Sequence, residues 1–377
     1  MNFSALTTFS IGLVLFILFC VSLTIQLGYY LGVFSKLAFY KKPALNNSFP
    51  PASIIICAKN EVDNLTQFLP AIFEQDYPAY EVVVVNDCSY DHTEDFLKEF
   101  ALRHSNLKIV TIQEDENYSH GKKIALMLGI KGAKYEHLLL TDADCKPADK
   151  HWLRGMMQLF APETDIVVGY GAYEKQKGFL NKMIRFDTFM IALQFLSFAL
   201  KGKTYMGTGR NLAYKKSLFF KLKGFASHYH IESGDDDLFV NEAVNKHKVN
   251  VQVNISNHTI SKVKTTLEEW MAQKRRHIST FGNYSSSSKS RLIFLTGSQY
   301  LFFATFIALL LLDTGIFLII SLFILRLLIQ IIIFKKSMAE LGERDLLLLS
   351  PVIELILLFI YPLITVSNAF LKKNKWK

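Results

Sequence analysis

LLLTDADCKP, residues 138–147, ends an apolar run in two carboxylates one residue apart. Successive leucines read as a strand buried on both faces, the pattern of a parallel sheet covered by helices. Unpaired acids are costly to hold near such a core. Asp142 and Asp144 are therefore expected beyond the strand's carboxyl end, facing a cleft.

The same alternation runs upstream. Ser53–Ala58 (SIIICA), Glu81–Val85 (EVVVV) and Leu107–Thr111 are short apolar β-runs, and His137–Thr141 is the fourth. Helical stretches over Glu61–Phe73, Thr93–Arg103 and Lys122–Gly132 separate them. Strand alternating with helix predicts an α/β fold, Rossmann-like, with a mostly parallel sheet. Ligands of such sheets bind in the crevice outside the carboxyl ends of the strands. Lys59-Asn60-Glu61 follows the first strand, Asn86-Asp87 the second and Asp142-Ala143-Asp144 the fourth, so polar groups from three strands are expected at one edge.

This soluble domain, residues 50–281, lies between apolar ends. Half of the 377 residues are hydrophobic and the mean hydropathy is +0.21. No charged residue occurs from Met1 to Ser35, and Ile11–Phe34 is long enough to span a bilayer. It lacks the basic start and small-residue exit of a cleavable signal peptide. Lys36, Lys41 and Lys42 follow at once, which by the positive-inside rule puts the domain in the cytoplasm. At the other end, residues 291–371 hold two spans, Leu292–Leu312 and Thr314–Phe334, and a third apolar segment, Leu346–Leu371, interrupted by Pro351 and Pro362. A full crossing by that segment would carry the basic C-terminus outside, against the charge rule, so a re-entrant or interfacial course stays open beside it. The net charge of +9 belongs to this membrane setting and its lipid head groups, not to nucleic acid. The four cysteines show no metal-ligand spacing, and no disulfide is expected on the cytoplasmic side.

Clustered carboxylate oxygens suit Mg²⁺ or Mn²⁺, which are commonly held by one or two acids plus substrate phosphates. A cation at Asp142 and Asp144 would stabilise a departing diphosphate. Asp87 could accept hydrogen bonds from a nucleobase or ribose, or merely form a turn. Gly121-Lys122 opens a helix whose N-terminus and lysine could both meet phosphate. Gly207-Thr208-Gly209 is not a dinucleotide fingerprint, because Leu212 stands where its third glycine should be.

In order and spacing, SIIICAKNE, VVVVNDCSYDHT, GKKIAL, TDAD, MGTGRNLAYKKSLF, SGDDDLF and QKRRH resemble the inverting nucleotide-sugar glycosyltransferases of family 2, which have a GT-A fold. The flanking spans match the membrane-bound members of that family. The resemblance implies that Asp87 contacts the nucleotide base, usually uracil, and that the backbone from Ala58 through Asn60 to Glu61 lines the nucleotide pocket. It implies that Asp142 and Asp144 form the diphosphate-metal motif, with Asp144 favoured as the direct ligand. Gly209, Arg210 and Asn211 would lie near the donor sugar and acceptor.

Inversion needs a carboxylate to take the acceptor proton. The family supplies it from an acidic pair whose second acid lies three residues before a leucine. Counting back from Leu238 gives Asp235, with Gly234 where the first acid of the pair should be, and Asp236 remains a competitor. Asp237 reads as a helix cap. Gln273, Arg276 and His277 match a QxxRW-type motif that binds diphosphate, with histidine replacing tryptophan and Trp270 as a possible substitute. The alternative is a basic anchor before a span. Gly178–Leu200 mixes apolar residues with Lys182, Arg185 and Asp187, the pattern of a helix on the bilayer surface or of an ordinary core-facing one.

Together these readings predict an integral membrane enzyme, on the resemblance that of a bacterial inner membrane. It would move a sugar from a nucleotide-sugar donor, uridine-linked by the resemblance, to a lipid-linked or glycan acceptor. Two rivals are carried: a processive polysaccharide synthase that exports its chain, and a non-catalytic membrane scaffold with a degenerate GT-A domain.

Overall fold

The four apolar runs become neighbours in one sheet. In the computed structural model β1 (Ala52–Ala58), β2 (Tyr80–Asp87), β3 (Leu107–Ile112) and β4 (His137–Asp142) lie parallel, with β1 between β2 and β4. The structure describes residues 3–43, 48–113, 121–231, 233–243, 247–313 and 315–370. After α1 (Phe3–Tyr29) and α2 (Ser35–Ala38), the helices α3 (Val62–Phe73), α4 (Thr93–Arg103) and α5 (Lys122–Gly132) connect these strands where the sequence pattern put them. Ile54, Ile55, Val82, Val83, Val84 and Leu139 are fully buried, as strands covered on both faces require. Gly129 lets α5 lie directly on the sheet, since a Cβ there would meet Val85 at 2.8 Å and Ile55 at 2.9 Å.

Beyond β4 the sheet is mixed. The elements that follow are β5 (Cys145–Pro147), α6 (Trp152–Met157), β6 (Thr164–Gly169), β7 (Gly171–Tyr173) and α7 (Phe179–Leu200). Then come β8 (Leu212–Lys215), α8 (Lys216–Lys221), α9 (Asp237–Ala243), β9 (Lys248–Gln252), β10 (Thr259–Ser261) and α10 (Leu267–Ile278). The order is β3-β2-β1-β4-β8-β6-β9, with β8 antiparallel to both of its neighbours and β6 parallel to β9. The mostly parallel sheet expected from sequence is thus found as a mixed one, with β8 the reversed strand among these seven. Strands of three or four residues, such as β5, β7, β8 and β10, are too short to show a period. The order β5-β10-β7 forms a second, small sheet next to Asp144.

Among the described residues, five helical segments are long and apolar enough to cross a membrane: Ser10–Ala38, α7, α11 (Ser286–Leu311), α12 (Ile316–Glu340) and Arg344–Ser367, which holds most of α13 (Ser350–Phe370). They are interleaved with the domain rather than simply flanking it. α1 runs into α2 through a π-helical turn, Tyr30–Phe34. The turn between α12 and α13 lies against the domain, where Lys175 Nζ donates to the Gly342 carbonyl at 2.7 Å and contacts Asp345 at 3.1 Å.

Two sequence expectations change here. α7 is no surface helix, for Arg185 and Asp187 are 2% and 1% exposed. Arg185 is bound by Glu343 and Asp345, so the core-facing alternative is the one observed. α13 starts against α11 and α12, where Glu354 accepts from Gln299 (2.7 Å), Gln330 (2.6 Å) and Arg326 (3.0 Å), and then packs along α7 and α10. Arg326 also donates to Gln26 of α1 at 2.9 Å, which gives this apolar bundle a satisfied polar centre. The basic C-terminal tail lies outside the described residues.

Candidate active site

The loops after β1 and β2 hold each other in place. Asn60, at φ 55°, accepts from the Tyr90 N–H at 2.8 Å, and its own N–H donates to Ser89 Oγ at 3.0 Å. Asparagine tolerates this left-handed backbone better than most residues. The Glu61 N–H donates to Thr93 Oγ1 (3.0 Å) and the Val62 N–H to Asp91 Oδ2 (3.2 Å). Ala58 ends β1 fully buried, and Asp87 ends β2 at 1% exposure. Cys57 lies among Asp87, Asp142, Asp235 and Lys122. Burial, with those three carboxylates, pushes its thiol far up, opposed by the lysine. Side chains separated by nearly 150 residues in sequence thus surround one point at the sheet edge.

Asp142 and Asp144 stand where the opening stretch leaves β4, and carboxylate oxygens of the two lie within 4.8 Å of each other and of Cys145 Sγ. Burial and the Asp142 charge raise the Asp144 carboxyl. Glu61 is raised by burial too, with Asp144 and Asp142 adding to it. Such crowded hard oxygens fit a divalent cation, which would relieve their repulsion. Cys145 is not a ligand of that kind, since burial and the two aspartates keep it a thiol. It donates to Asp144 Oδ1 at 3.3 Å and lies 2.9 Å from Ser261 Oγ, so its effect is to orient the acid.

Lys122 was expected to meet phosphate. Here its Nζ sits 2.9 Å from Asp142 Oδ1 and 3.1 Å from Asp235 Oδ2, joining the metal motif to the acidic loop. Burial would raise Asp142, but Lys122, with Arg210 and Arg276, holds it below its usual range. Lys123, which sequence reading passed over, donates to the carbonyls of His228 (2.6 Å) and Ile231 (2.8 Å) and so fixes the segment leading into the acids.

The three acids separate by environment. Asp237 caps α9 through the Leu238 N–H (2.7 Å) and accepts from the hydroxyls of Thr280 and Tyr284, so it is structural as expected. Asp236 accepts from the Gly209 N–H at 2.6 Å and the Asp237 N–H at 2.7 Å. Its carboxyl is pushed up to about 7 by burial and then by the charges of Asp235 and Asp237. Asp235 is 7% exposed, with Lys122 as its cationic partner. The glycine at 234 has a steric cause. Its φ is +96°, and a Cβ there would lie 2.4 Å from Leu238 Cδ1, so neither the backbone nor the space admits an acid.

Arg210 stacks 4.4 Å from the Tyr173 ring and donates to Ser261 Oγ at 3.1 Å. Gln273 donates to the Tyr173 hydroxyl at 3.1 Å. Arg276 and His277 are exposed on α10, and the Arg276 charge adds to those that hold the Asp142 carboxyl down. Tyr173, the hub of this group, carried no sequence signal because β7 is so short.

Two expected residues are elsewhere. Asn211 is fully buried and turned into the fold, where it accepts from Trp152 Nε1 (3.0 Å) and donates to the carbonyls of Tyr170 (3.0 Å) and Asn257 (2.9 Å). With both amide hydrogens engaged and the side chain fully buried, it is not presented to a sugar. Asn211→Leu is expected to cost on the order of 3 kcal/mol, because three buried partners lose their bonds. Thermal unfolding checks the loss, and donor affinity of the folded fraction should not move. Trp270 is also fully buried, so it offers no stacking face in place of the tryptophan missing from the motif.

Comparison with known proteins agrees with this geometry. The model of glycosyl transferase family 2 matches residues 53–222. The glycosyltransferase AglE of Haloferax volcanii is 32% identical over 127 residues, 33% of this chain and 40% of that protein. The probable glycosyltransferase YdaM of Bacillus subtilis is 30% identical over 185 residues, 47% of this chain and 43% of that protein. The chain thus spans less than half the length of these relatives. The mannosyltransferase PcManGT from Pyrobaculum calidifontis, solved with GDP-Man and Mn²⁺, superposes with a TM-score of 0.58 at 19% identity, covering 90% of this chain and 97% of that one, a likeness of fold. Residues 53–222 are thus similar to glycosyl transferase family 2, with the motifs in that family's order and their side chains gathered at one sheet edge, and the chain shares the fold of the mannosyltransferase.

Proposed function

We propose that the protein transfers one sugar from a nucleotide diphosphate sugar, uridine-linked, to a hydroxyl or phosphate of a lipid-linked or glycan acceptor at the cytoplasmic face of a membrane, with inversion. The observation that carries this reading is the attachment of the acidic loop to the root of an apolar helix. Asp237 is bonded to Thr280 and Tyr284, and the Ser285 N–H, at the start of α11, donates to Asn241 at 2.8 Å. The acceptor-side acids are therefore one layer from the apolar bundle, which suits an acceptor carried by lipid.

In this reading Asp87 meets the base, and the backbone at Ala58, Asn60 and Glu61 lines the nucleotide. Asp144 and Asp142 would hold Mg²⁺ or Mn²⁺, which supplies charge neutralisation at the diphosphate. Asp235 takes the acceptor proton as the acceptor oxygen bonds to the anomeric carbon, and the bond to the diphosphate oxygen breaks with its electron pair leaving on that oxygen. Gln273, Arg276, His277 and Arg210 meet the negative charge that gathers there. Asp236 is the alternative base, and its two backbone hydrogen bonds make it the less free of the pair.

The test is a screen of nucleotide sugars with membrane lipid extract and detergent-purified full chain, with Mn²⁺, Mg²⁺ or chelator. Mass spectrometry of lipid-extractable product is expected to show one added sugar, dependent on the cation. No turnover of any donor by folded protein would overturn the reading in favour of a scaffold, and long products would favour a processive synthase.

A further inference from the structure

Asp187 is a buried acid that the chemistry above does not use. It lies on α7 at 1% exposure, pairs with Lys274 of α10, and accepts from the Tyr361 hydroxyl of α13. Lys274 is itself only 6% exposed and lies over the Trp270 ring at 5.8 Å. Two residues on a helix are about 200° apart at 3.6 residues per turn, so Lys274 and Arg276 point from opposite sides of α10. One side is pinned to α7 and α13. The other carries the arginine whose charge reaches Asp142. α7 is in turn clamped to the turn before α13, where Arg185 is bound by Glu343 and Asp345, and Glu343 also accepts from the Tyr170 hydroxyl at 3.2 Å.

We infer that Asp187 is a positioning residue for transfer: through Lys274 it sets the rotation of α10, and so the placement of Arg276 at the departing diphosphate, and through Tyr361 it makes that placement depend on the seating of α13. The inference rests on the proposed transfer reaction. A buried charge left without its partner is strongly destabilising. Holding Lys274 is thus a stiff constraint on α10, whereas Gln273, bonded to Tyr173, is held only by neutral hydrogen bonds. A shift of about 1 Å in a charged group at the reacting centre costs on the order of 100-fold in rate.

The experiment uses the full chain in lipid nanodiscs. Asp187→Asn alone strands the lysine charge and threatens folding, so the neutral pair Asp187→Asn/Lys274→Gln and the milder Tyr361→Phe are made beside it. The neutral pair is expected to lower kcat by roughly 10- to 100-fold with the donor KM changed less than about threefold. In an Arg276→Ala background the same pair should add almost nothing, since positions acting through one group are not additive. Additive losses, or a change in KM alone, would overturn the inference. Hydrogen exchange supplies an arm that needs no donor: amides of α10 are expected to exchange faster in the neutral pair and in Tyr361→Phe, with β1, β2 and β4 unchanged. Unaltered α10 protection also overturns it, and this remains decisive if the parent chain transfers no sugar, the outcome that sinks the reaction instead.

Discussion

Asp235→Asn is expected to bind the nucleotide-sugar donor as the parent chain does and to transfer sugar roughly 10²- to 10⁴-fold more slowly, the usual range for a removed general base. In the proposed reading donor contacts come from the ends of β1, β2 and β4, whereas Asp235 enters from the loop before α9, so binding and proton transfer separate. Lys122 keeps its second partner, Asp142 at 2.9 Å, and the site should not collapse. Isothermal titration with donor, set against initial rates, makes the comparison. The pH profile assigns the rival. Asp236 holds its proton up to about pH 7. If it is the base, the rate falls as pH drops through about 7, and the break disappears in Asp236→Asn while Asp235→Asn retains activity. Linkage gives the matching sign for stability. The unfolded carboxyl titrates near 3.9, so between about 4 and 7 the folded state binds the extra proton. This group's contribution to stability therefore falls as pH rises across that window.

Asp144→Ala carries the second large effect. Two carboxylates within 4.8 Å of each other, one of them raised by burial and its neighbour, form a repulsive pair that a divalent cation turns into an attractive one. The parent chain is expected to melt higher with Mn²⁺ than with chelator, as any ligand of the folded state produces. In Asp144→Ala that rise should vanish, and cation-dependent affinity for UDP should fall by more than the roughly 10- to 100-fold typical of losing an outer-shell partner. Without cation the variant should be no less stable than the parent, because a crowded, half-buried carboxylate has gone. Unchanged affinity for UDP with Mn²⁺ would remove Asp144 from the cation site.

Much of this was legible before any coordinates. SIIICA, EVVVV and HLLLT announce buried parallel strands because apolar character along a short run is a local property, and the acids after them mark a polar edge because a core rejects them. The positions of β1 to β4 and of α3 to α5 follow from those runs and the stretches between them, while the resemblance to family 2 rests on the order and spacing of the motifs at their ends.

Tertiary structure decided what depends on which surface packs over a residue. Asn211 and Arg210 are adjacent in a matching motif, yet one is turned inward onto Trp152 and the other toward Tyr173. Lys122 found two carboxylates, because its partners come from β4 and from a loop more than 100 residues downstream. Gly234 stands where an acid was expected because Leu238 fills the space a side chain would need. The charges of α7 look like those of a helix meeting head groups, but Arg185 is neutralised by Glu343 and Asp345, and Asp187 by Lys274. Period and composition report the chain's local preferences; whether a charge meets water, lipid or an opposite charge is settled by segments that no local pattern can see.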